Sequence, residues 1–450
     1  MGIDAGLDAI DLVIDGSMRP QSSADDHWVT GDHFGLPIPA DPAALHAGGA
    51  AFLTRAFRVS GTLTAGNAVT GISRFQEVPG GSTGRKLLLR VEYDKPVASN
   101  HTDLFVKFSR DFDDPIRDRG KTQMESEILF ASLSREPGFP ITVPATQFAD
   151  YHRGTGTGIL ISEQIHFGAD GIERQYHKCL DYEMPEPLNH YRALLTALGR
   201  LVGSHRSGRL PAMLAGQFPV DMQAATVGER IPLSADKLNR RLGQLAEFAE
   251  TSPESLPANV RSPQFMARLR EDAPLFLRHE PAVWRYLAGE PDYIALCHWN
   301  ANVDNAWFWR DCENVLHCGL LDWGCAGQMN VAMALWGAMS GAETDMWDHH
   351  LDDLLGLFVS EVRQCGGPDL NVDELHNQVM LHVGIMAVAW LLDVPALIRS
   401  RFGEAARTLS RKDPRIKEDE SVRPPLQMLT NALNLWETRH FGDLLDAALA

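Results

Sequence analysis

Residues 294–324 read IALCHWNANVDNAWFWRDCENVLHCGLLDWG, and two apolar, strand-like pieces in this stretch are broken by polar residues. The polar residues of the first piece are His298, Asn300, Asn302, Asp304 and Asn305, and the second piece ends at Asp322. If a short hairpin joins the two pieces, it brings an amide oxygen and a carboxylate close together. Such oxygen ligands suit Mg²⁺ that carries the phosphates of a nucleotide. The alternative is a polar loop whose side chains hydrogen-bond one another.

The composition of the chain is that of a folded globular protein. Its 450 residues carry 41 Lys and Arg against 59 Asp and Glu, a formal net charge of -18. A hydrophobic content of 44% and a charged content of 22% exclude a disordered chain. Because an acidic chain repels phosphate backbones and no local basic patch is found, we expect no nucleic-acid partner.

The cysteines and the apolar runs bear on the cellular location. Six cysteines, at positions 179, 297, 312, 318, 325 and 365, form no C-x-x-C pair and no disulfide framework. The longest apolar run, Val383 to Leu392, has about half of the roughly 20 residues that a membrane-spanning helix needs. The acidic N-terminus lacks the basic region of a secretory signal. We therefore expect a soluble, cytoplasmic protein without a membrane partner.

A zinc site near His298 and His317 is an alternative use of the nearby cysteines. Their spacing matches no ligand frame, and Cys297 and Cys318 lie within apolar runs. The sequence favours buried free thiols at these positions.

Hydrophobic periodicity predicts strands in the first third of the chain and helices in most of the rest. Predicted strands cover 68–78, 86–94, 103–111 and 157–165, with helices over 42–58 and 124–136. Further helices are predicted over 188–207, 237–250, 264–277, 346–364 and 374–397. This order predicts an irregular N-terminal extension (1–40), a small sheet-rich lobe (41–165) and a larger, mainly helical lobe (166–450).

The stretch His298–Asn305, HWNANVDN, resembles the H-G-D-x-x-x-x-N catalytic loop of the aminoglycoside phosphotransferase and choline kinase family. That family has the bilobal protein-kinase-like fold, of the α+β class. Asp322-Trp323-Gly324 resembles the metal-binding D-x-G step of the same family. The resemblance implies that Asn305 and Asp322 bind Mg²⁺, and that His298 and Asn300 belong to the catalytic loop.

Segments of the first half of the chain resemble the nucleotide-binding residues of the same family. Lys107 in LFVKFSR matches the lysine that contacts the α- and β-phosphates, and Glu127 in SEILFASL matches its glutamate partner. Glu125 is the alternative partner; Glu127 is preferred because it leads directly into an apolar helix face. GILISEQ, which ends in Glu163 and Gln164, resembles the hinge that holds the adenine. A helix over 188–206 also matches the family.

The segment PGGSTGRK (79–86) lies between two predicted strands and contains turn-forming residues. It fails the P-loop pattern, because Arg85 follows Gly84 and Leu87 follows Lys86. As the first hairpin of a kinase-like small lobe, it would lie over the nucleotide phosphates, with Gly81 and Ser82 as ligands. A plain hairpin turn is the alternative.

The loop departs from the family where the chemistry is decided. Trp299 replaces the glycine of the family pattern, and Asn300 replaces the catalytic aspartate. An amide can accept a hydrogen bond but cannot hold a proton near neutral pH. Trp299 is a candidate substrate contact, and QMNVAMALW after Asp322 lacks the usual support of the loop.

The resemblance implies an ATP- and Mg²⁺-dependent phosphotransferase that acts on a hydroxyl of a small organic molecule. Because Asn300 replaces the catalytic aspartate, two alternatives stay open. One is a pseudokinase that binds a nucleotide or another small ligand without phosphoryl transfer. The other is a pocket recruited for different chemistry, such as nucleotidyl transfer.

Overall fold

A computed structural model describes residues 27–80, 83–97, 100–218, 220 and 233–449 of the chain. The helices and strands of the first part are β1 Trp28–Thr30, β2 Pro37–Pro39, α1 Pro42–Val59, β3 Val69–Val78, β4 Lys86–Tyr93, β5 Asp103–Phe108, α2 Pro115–Arg119, α3 Met124–Leu133, β6 Thr146–His152 and β7 Thr157–Glu163. Strands β3 to β7 form a five-stranded antiparallel sheet in the order β3-β4-β5-β7-β6.

Strand β5 has apolar side chains on one face of the sheet and Lys107 on the other face. Leu104, Val106 and Phe108 are fully buried and pack in one apolar cluster with Phe52 of α1. Since side chains alternate between the two faces of a strand, Lys107 points to the opposite face. Helix α3 packs near that face, where it contacts β6 and β7. The alternation therefore directs Lys107 towards the helix that carries Glu127.

The rest of the described chain is mainly helical. Its elements are α4 Pro187–Arg206, α5 Ala212–Ala215, α6 Ala235–Thr251, α7 Pro263–Gly289, β8 Ile294–His298, β9 Ala306–Arg310, β10 Leu316–Leu320, β11 Ala326–Asn330, α8 Val331–Met339, α9 Thr344–Gln364, α10 Val372–Ala389, α11 Val394–Phe402, α12 Pro414–Lys417, α13 Arg423–Arg439 and α14 Phe441–Leu449. Strand β8 pairs with β11, and β9 forms an antiparallel hairpin with β10. The predicted α+β class, with a small antiparallel sheet and a larger helical part, is confirmed.

Two expectations for the first part of the chain differ from the structure. Within the predicted irregular extension, β1 and β2 pair, and Ile38 is fully buried. Strand β6 was not expected, because its sequence TQFADYH places Asp150 in the middle of a buried strand. The carboxylate of Asp150 accepts hydrogen bonds from the backbone of His33 and Phe34, which satisfies it.

The predicted helix over 374–397 is divided into two helices. Helix α10 ends at Ala389, and α11 begins at Val394 with Pro395 in its first turn. Proline lacks the N–H that would continue a helix but fits the first turn of a new one. Among the described residues, one helical stretch, Val372–Thr408, could cross a membrane by length and composition, and 78% of its apolar window is buried inside the protein. Such burial is typical of the core helix of a soluble protein.

Candidate functional site

Lys107 lies at the centre of a cleft between the sheet and the helical part. Its Nζ donates to Glu127 Oε2 at 2.6 Å and to Asp322 Oδ1 at 2.5 Å. The side chain of Lys107 is only 8% exposed and that of Glu127 only 5%, whereas Asp322 is 39% exposed. Asn300 and Gly324 line the same cleft. The structure thus brings together four residues that the sequence singled out from three distant segments.

The ion pairs around Lys107 fix its charge. Burial by itself would lower the pKa of Lys107, but Asp322 and Glu127 together raise that pKa above its ordinary value. The ammonium of Lys107 holds the pKa of Asp322 well below its usual range. Burial raises the pKa of Glu127, and Lys107 opposes part of that effect. At neutral pH the cleft therefore presents a protonated lysine beside an ionised, partly exposed carboxylate.

Helix α3 carries both glutamates that could have paired with Lys107. Glu127 is buried and makes this pair, whereas Glu125 forms an ion pair with Arg153 on the surface. The preference for Glu127 therefore agrees with the contacts of the structure. The nucleotide-binding role of the pair stays a prediction.

Asp322 is held by its neighbours on both sides. It has a left-handed backbone with φ of 63° and ψ of 65°, and the next residue, Trp323, stacks on Phe130 of α3 at 3.5 Å between ring centroids. The N–H of Leu321 donates to the backbone oxygen of Asn305 at 3.0 Å. These contacts fix the Asp322 loop to the helix of Glu127 and to the loop of Asn300.

The side-chain amide of Asn305 donates a hydrogen bond through its nitrogen, and its oxygen accepts none from the described residues. Its Nδ2 donates to the backbone oxygen of Asn300 at 2.8 Å, which uses the nitrogen and leaves Oδ1 without a donor in the described chain. Asn305 Oδ1 and the second carboxylate oxygen of Asp322 are hard oxygen donors of the kind that Mg²⁺ uses together with phosphates and water. No group of three or more His, Cys, Asp and Glu side chains suited to a metal gathers among the described residues. Asp322 lines the cleft, whereas Asn305 is buried and is not among the described residues that line it. Oxygen donors of these two kinds suit Mg²⁺ better than zinc.

His298 is a positioning residue of the loop. It is fully buried, its Nδ1 accepts from the Asn300 N–H at 3.2 Å, and its Nε2 donates to Leu321 O at 2.9 Å. An acceptor at Nδ1 and a donor at Nε2 define one neutral tautomer. Burial lowers the pKa of His298 to about 4. His298 thus links the Asn300 loop to the Asp322 loop, and its fully buried ring is closed off from the solvent.

This burial predicts a pH-dependent contribution of His298 to stability. Between pH 6.5 and pH 4 the unfolded chain binds a proton at His298 that the folded chain does not, so the stabilisation by His298 is lost as the pH falls. We expect the difference in free energy of unfolding between the wild type and His298→Asn to narrow by about 2 kcal/mol from pH 7.5 to pH 5. Urea unfolding at both pH values measures this difference.

The control for this experiment is His349→Asn, because the side chain of His349 is 67% exposed. Burial also raises the pKa of Asp181, to about 7, but that group is present in both chains, so its effect cancels in the difference. If the difference in free energy of unfolding between the wild type and His298→Asn stays constant with pH, His298 is not held neutral in the folded chain.

Helix α8 supports the loop in place of the family pattern. A Cβ built on Gly337 would lie 1.6 Å from the backbone oxygen of Trp299, so the helix touches the loop backbone directly. Ser340 Oγ donates to Asn302 Oδ1 at 3.4 Å. Asn330 caps the helix, because its side chain accepts from the Ala332 N–H. The segment from Asn330 to Ser340, which overlaps QMNVAMALW, therefore supports the loop.

Glu163, Gln164 and Trp299 are not among the described residues that line the cleft around Lys107. Glu163 Oε1 accepts from the Ala145 N–H, and the Gln164 N–H donates to Asp103 O, so both sit at the end of β7. Trp299 packs against the large apolar core, and it is not among the described residues that line the cleft. Gly81 and Ser82 lie outside the described residues. The roles of these five residues stay predictions.

Comparison with known proteins finds similar folds among solved structures. No protein-family model matches the chain, and no curated protein sequence matches it. A choline/ethanolamine kinase family protein from Mesorhizobium loti is 16% identical, with a TM-score of 0.40 over 88% of this chain and 98% of that chain. A microcompartment-associated aminopropanol kinase is 14% identical, with a TM-score of 0.43 over 83% of this chain and 94% of that chain.

Aminoglycoside kinases are among the similar structures too. The GDP complex of wild-type aminoglycoside 2'-phosphotransferase-IIIa is 14% identical, with a TM-score of 0.37 over 81% of this chain and 93% of that chain. These three similar structures are thus a choline/ethanolamine kinase family protein, an aminopropanol kinase and an aminoglycoside phosphotransferase. Similarity of this degree does not identify a reaction or a substrate for the chain.

Two lysines of the site were missed by the sequence reasoning. Lys86 is paired directly with Lys107 across β4 and β5, and burial together with the charge of Lys107 lowers its pKa. Lys178 donates to Asn300 Oδ1 at 3.1 Å. The period-2 pairing of two adjacent strands could have revealed Lys86. No periodic signal marks Lys178, which lies on the irregular segment between β7 and α4.

Proposed function

We propose that the chain transfers the γ-phosphoryl group of ATP, with Mg²⁺, to a hydroxyl of a small organic molecule. The observation that carries this proposal is the ammonium of Lys107 held between Glu127 and Asp322 in a cleft that Asn300 also lines. A buried, protonated lysine beside a partly exposed carboxylate suits a phosphate chain that arrives with a metal ion. The predicted cytoplasmic location would supply both ATP and Mg²⁺.

Each residue has a separate part in the proposed function. Lys107 would bind the phosphates of ATP, and Glu127 would keep its ammonium in place. Asn305 and Asp322 would hold Mg²⁺, which neutralises the charge that develops on the phosphates. Lys86, next to Lys107, would add a second positive charge on the same face of the sheet.

Asn300 decides whether the chain can remove the proton of the acceptor hydroxyl during the transfer. The acceptor oxygen attacks the γ-phosphorus, the bond from that phosphorus to ADP breaks, and the electron pair leaves with ADP. Asn300 cannot take the hydroxyl proton, so that proton passes to solvent or to an oxygen of the transferred group. General-base assistance is worth about 10²–10⁴ in rate. The transfer would therefore depend on positioning and electrostatics, which supply most of the catalysis in phosphoryl transfer.

A second candidate function is nucleotide binding without transfer. It is favoured by Asn300, which stands where a catalytic base would be. The side-chain oxygen of Asn300 already accepts hydrogen bonds from Lys178 and Asn302. In that case the cleft would bind ATP and the protein would respond to the bound nucleotide, with no product formed.

A thermal-shift titration with ATP, with and without Mg²⁺, tests the proposal first. Binding stabilises the folded state by RT ln(1 + [L]/Kd), so we expect a rise in Tm of about 2–5 °C at saturating ATP with Mg²⁺. The second measurement is ADP formation in the presence of hydroxyl acceptors. A shift without ADP formation would favour the second candidate, and the lack of any shift at millimolar ATP would contradict both.

A further inference from the structure

The hydrogen bonds of Asn300 leave one of its polar groups for a ligand. Its N–H donates to His298, and its backbone oxygen accepts from the N–H of Asn302 and from the amide of Asn305. Its Oδ1 accepts from Lys178 Nζ at 3.1 Å and from Asn302 Nδ2 at 2.8 Å. Because an ammonium can only donate, the atom that faces Lys178 is the oxygen. The side-chain NH₂ of Asn300 therefore has no partner in the described chain, and Asn300 lines the cleft.

Lys178 is a second donor at the same place. Its ammonium forms no ion pair with a carboxylate of the described residues, so two of its three N–H groups stay free. The backbone of Lys178 is fixed, because its oxygen accepts from Arg423 Nε at 2.9 Å. The following residue, Cys179, is buried with a left-handed φ of 60°. The fold thus fixes the backbone of Lys178, and the hydrogen bond to Asn300 places its ammonium.

The carboxylates around Lys178 do not neutralise it by direct contact. Asp304 acts on Lys178 electrostatically, yet its buried Oδ1 has no hydrogen-bond partner. The carboxylates that act on Asp304 or on its surroundings have donors of their own: Asp181 accepts from Tyr191, Glu343 from Arg411, and Glu420 from Arg423. Among the described residues, Lys178 therefore has no carboxylate in direct contact with its ammonium.

We propose that Lys178 and the side-chain NH₂ of Asn300 bind an anionic group of the acceptor, a carboxylate or a phosphate, next to the hydroxyl that is phosphorylated. This inference rests on the proposed function, since Asn300 marks the acceptor side of the cleft only if the chain is a phosphotransferase. Both groups are donors, and one is charged, so the complementary ligand is an anion. A cationic amine at this position would be repelled by Lys178.

The test uses four acceptors with one three-carbon skeleton and different charge. They are glycerate, glycerol phosphate, glycerol and aminopropanediol, each measured with ATP and Mg²⁺. We expect kcat/KM for the better of the two anions to exceed that for glycerol by about 10- to 100-fold, as for hydrogen bonds to a charged group. Aminopropanediol should be the poorest acceptor. Whether glycerate or glycerol phosphate is preferred decides between a carboxylate and a phosphate.

Three variants connect this preference to the two residues. In Lys178→Met the ratio of kcat/KM for the preferred anion to that for glycerol should fall towards one, and in Lys178→Arg it should be largely retained. Asn300→Asp should also lower the ratio, because its carboxylate would neutralise Lys178. Urea unfolding shows whether each variant is folded. A preference for glycerol or for aminopropanediol, or a ratio that is unchanged in Lys178→Met, would overturn the inference.

A binding measurement separates this inference from the proposed function. Glycerate and glycerol phosphate are titrated calorimetrically into the free protein and into the protein with ADP and Mg²⁺, for the wild type and Lys178→Met. Anion binding that is lost in Lys178→Met, together with no phosphorylation of any acceptor, would support the anion site and contradict the phosphotransferase. Equal binding by both chains, or no binding by either, would overturn the anion site.

Discussion

Replacing Asp322 with asparagine is expected to abolish the Mg²⁺-dependent part of ATP binding and to lower any ATP-dependent phosphorylation by about 10²–10³-fold. The carboxylate is ionised because Lys107 holds its pKa low, and it is the partly exposed acid of the cleft. An amide of the same shape keeps an oxygen but loses the charge that a metal ion needs. The fold should persist, since Lys107 keeps its bond to Glu127. The measurement is the Tm shift with ATP, with and without Mg²⁺, together with ADP formation.

Asp311→Asn is the matched control for this experiment. Asp311 follows strand β9 on the same hairpin and pairs with His317 on the surface, so the same change of charge is made away from the cleft. We expect Asp311→Asn to keep the Mg²⁺-dependent shift. If Asp322→Asn keeps it as well, Asp322 does not hold the metal ion.

Replacing Gly337 with alanine is expected to destabilise the folded chain and to displace the loop of Asn300. The added Cβ would lie 1.6 Å from the backbone oxygen of Trp299 and 2.7 Å from its carbonyl carbon, so helix α8 or the loop must move. Overpacking of this kind costs about 1–3 kcal/mol in the free energy of unfolding. Because Trp299 precedes Asn300 directly, the same shift should weaken any activity beyond the loss of stability.

Gly356→Ala in helix α9 provides the comparison. A Cβ built on Gly356 meets nothing within 4 Å, so alanine there should stabilise the helix by roughly 0.5–1 kcal/mol. Urea unfolding of both variants gives the two free energies. A Gly337→Ala chain as stable as the wild type would show that the loop and α8 can separate without cost.

The residues that the sequence located are those that interrupt a regular pattern. Lys107 lies between Val106 and Phe108 in an alternating strand, and Asp322 follows an apolar strand, so each stood out from its neighbours. The sheet and most helices were predicted for the same reason, because their periodicity is local. Strand β6 was missed, since buried Asp150 is satisfied in part by the backbone N–H groups of residues 33 and 34, which lie far from it in the sequence.

Lys178 could not be found from local sequence. It belongs to an irregular segment, and its backbone is held by Arg423, which is 245 residues further along the chain. Its contact with Asn300 spans 122 residues. Contacts between residues so far apart in the sequence depend on tertiary packing, and a local hydrophobic periodicity does not predict them. The replacement at position 300 was visible in the sequence, whereas the lysine bound to it required the structure.

The two residues that pair with Lys107 are synthesised at very different times. Glu127 follows it by 20 residues, whereas Asp322 follows by 215. During synthesis the first pair can form early, while the second must await most of the helical part, and contacts of such high sequence separation form slowly. A complete cleft therefore exists only in a chain whose distant segments have docked. Mg²⁺-dependent nucleotide binding would then report on completed folding of the whole protein, and a truncated N-terminal fragment would lack it.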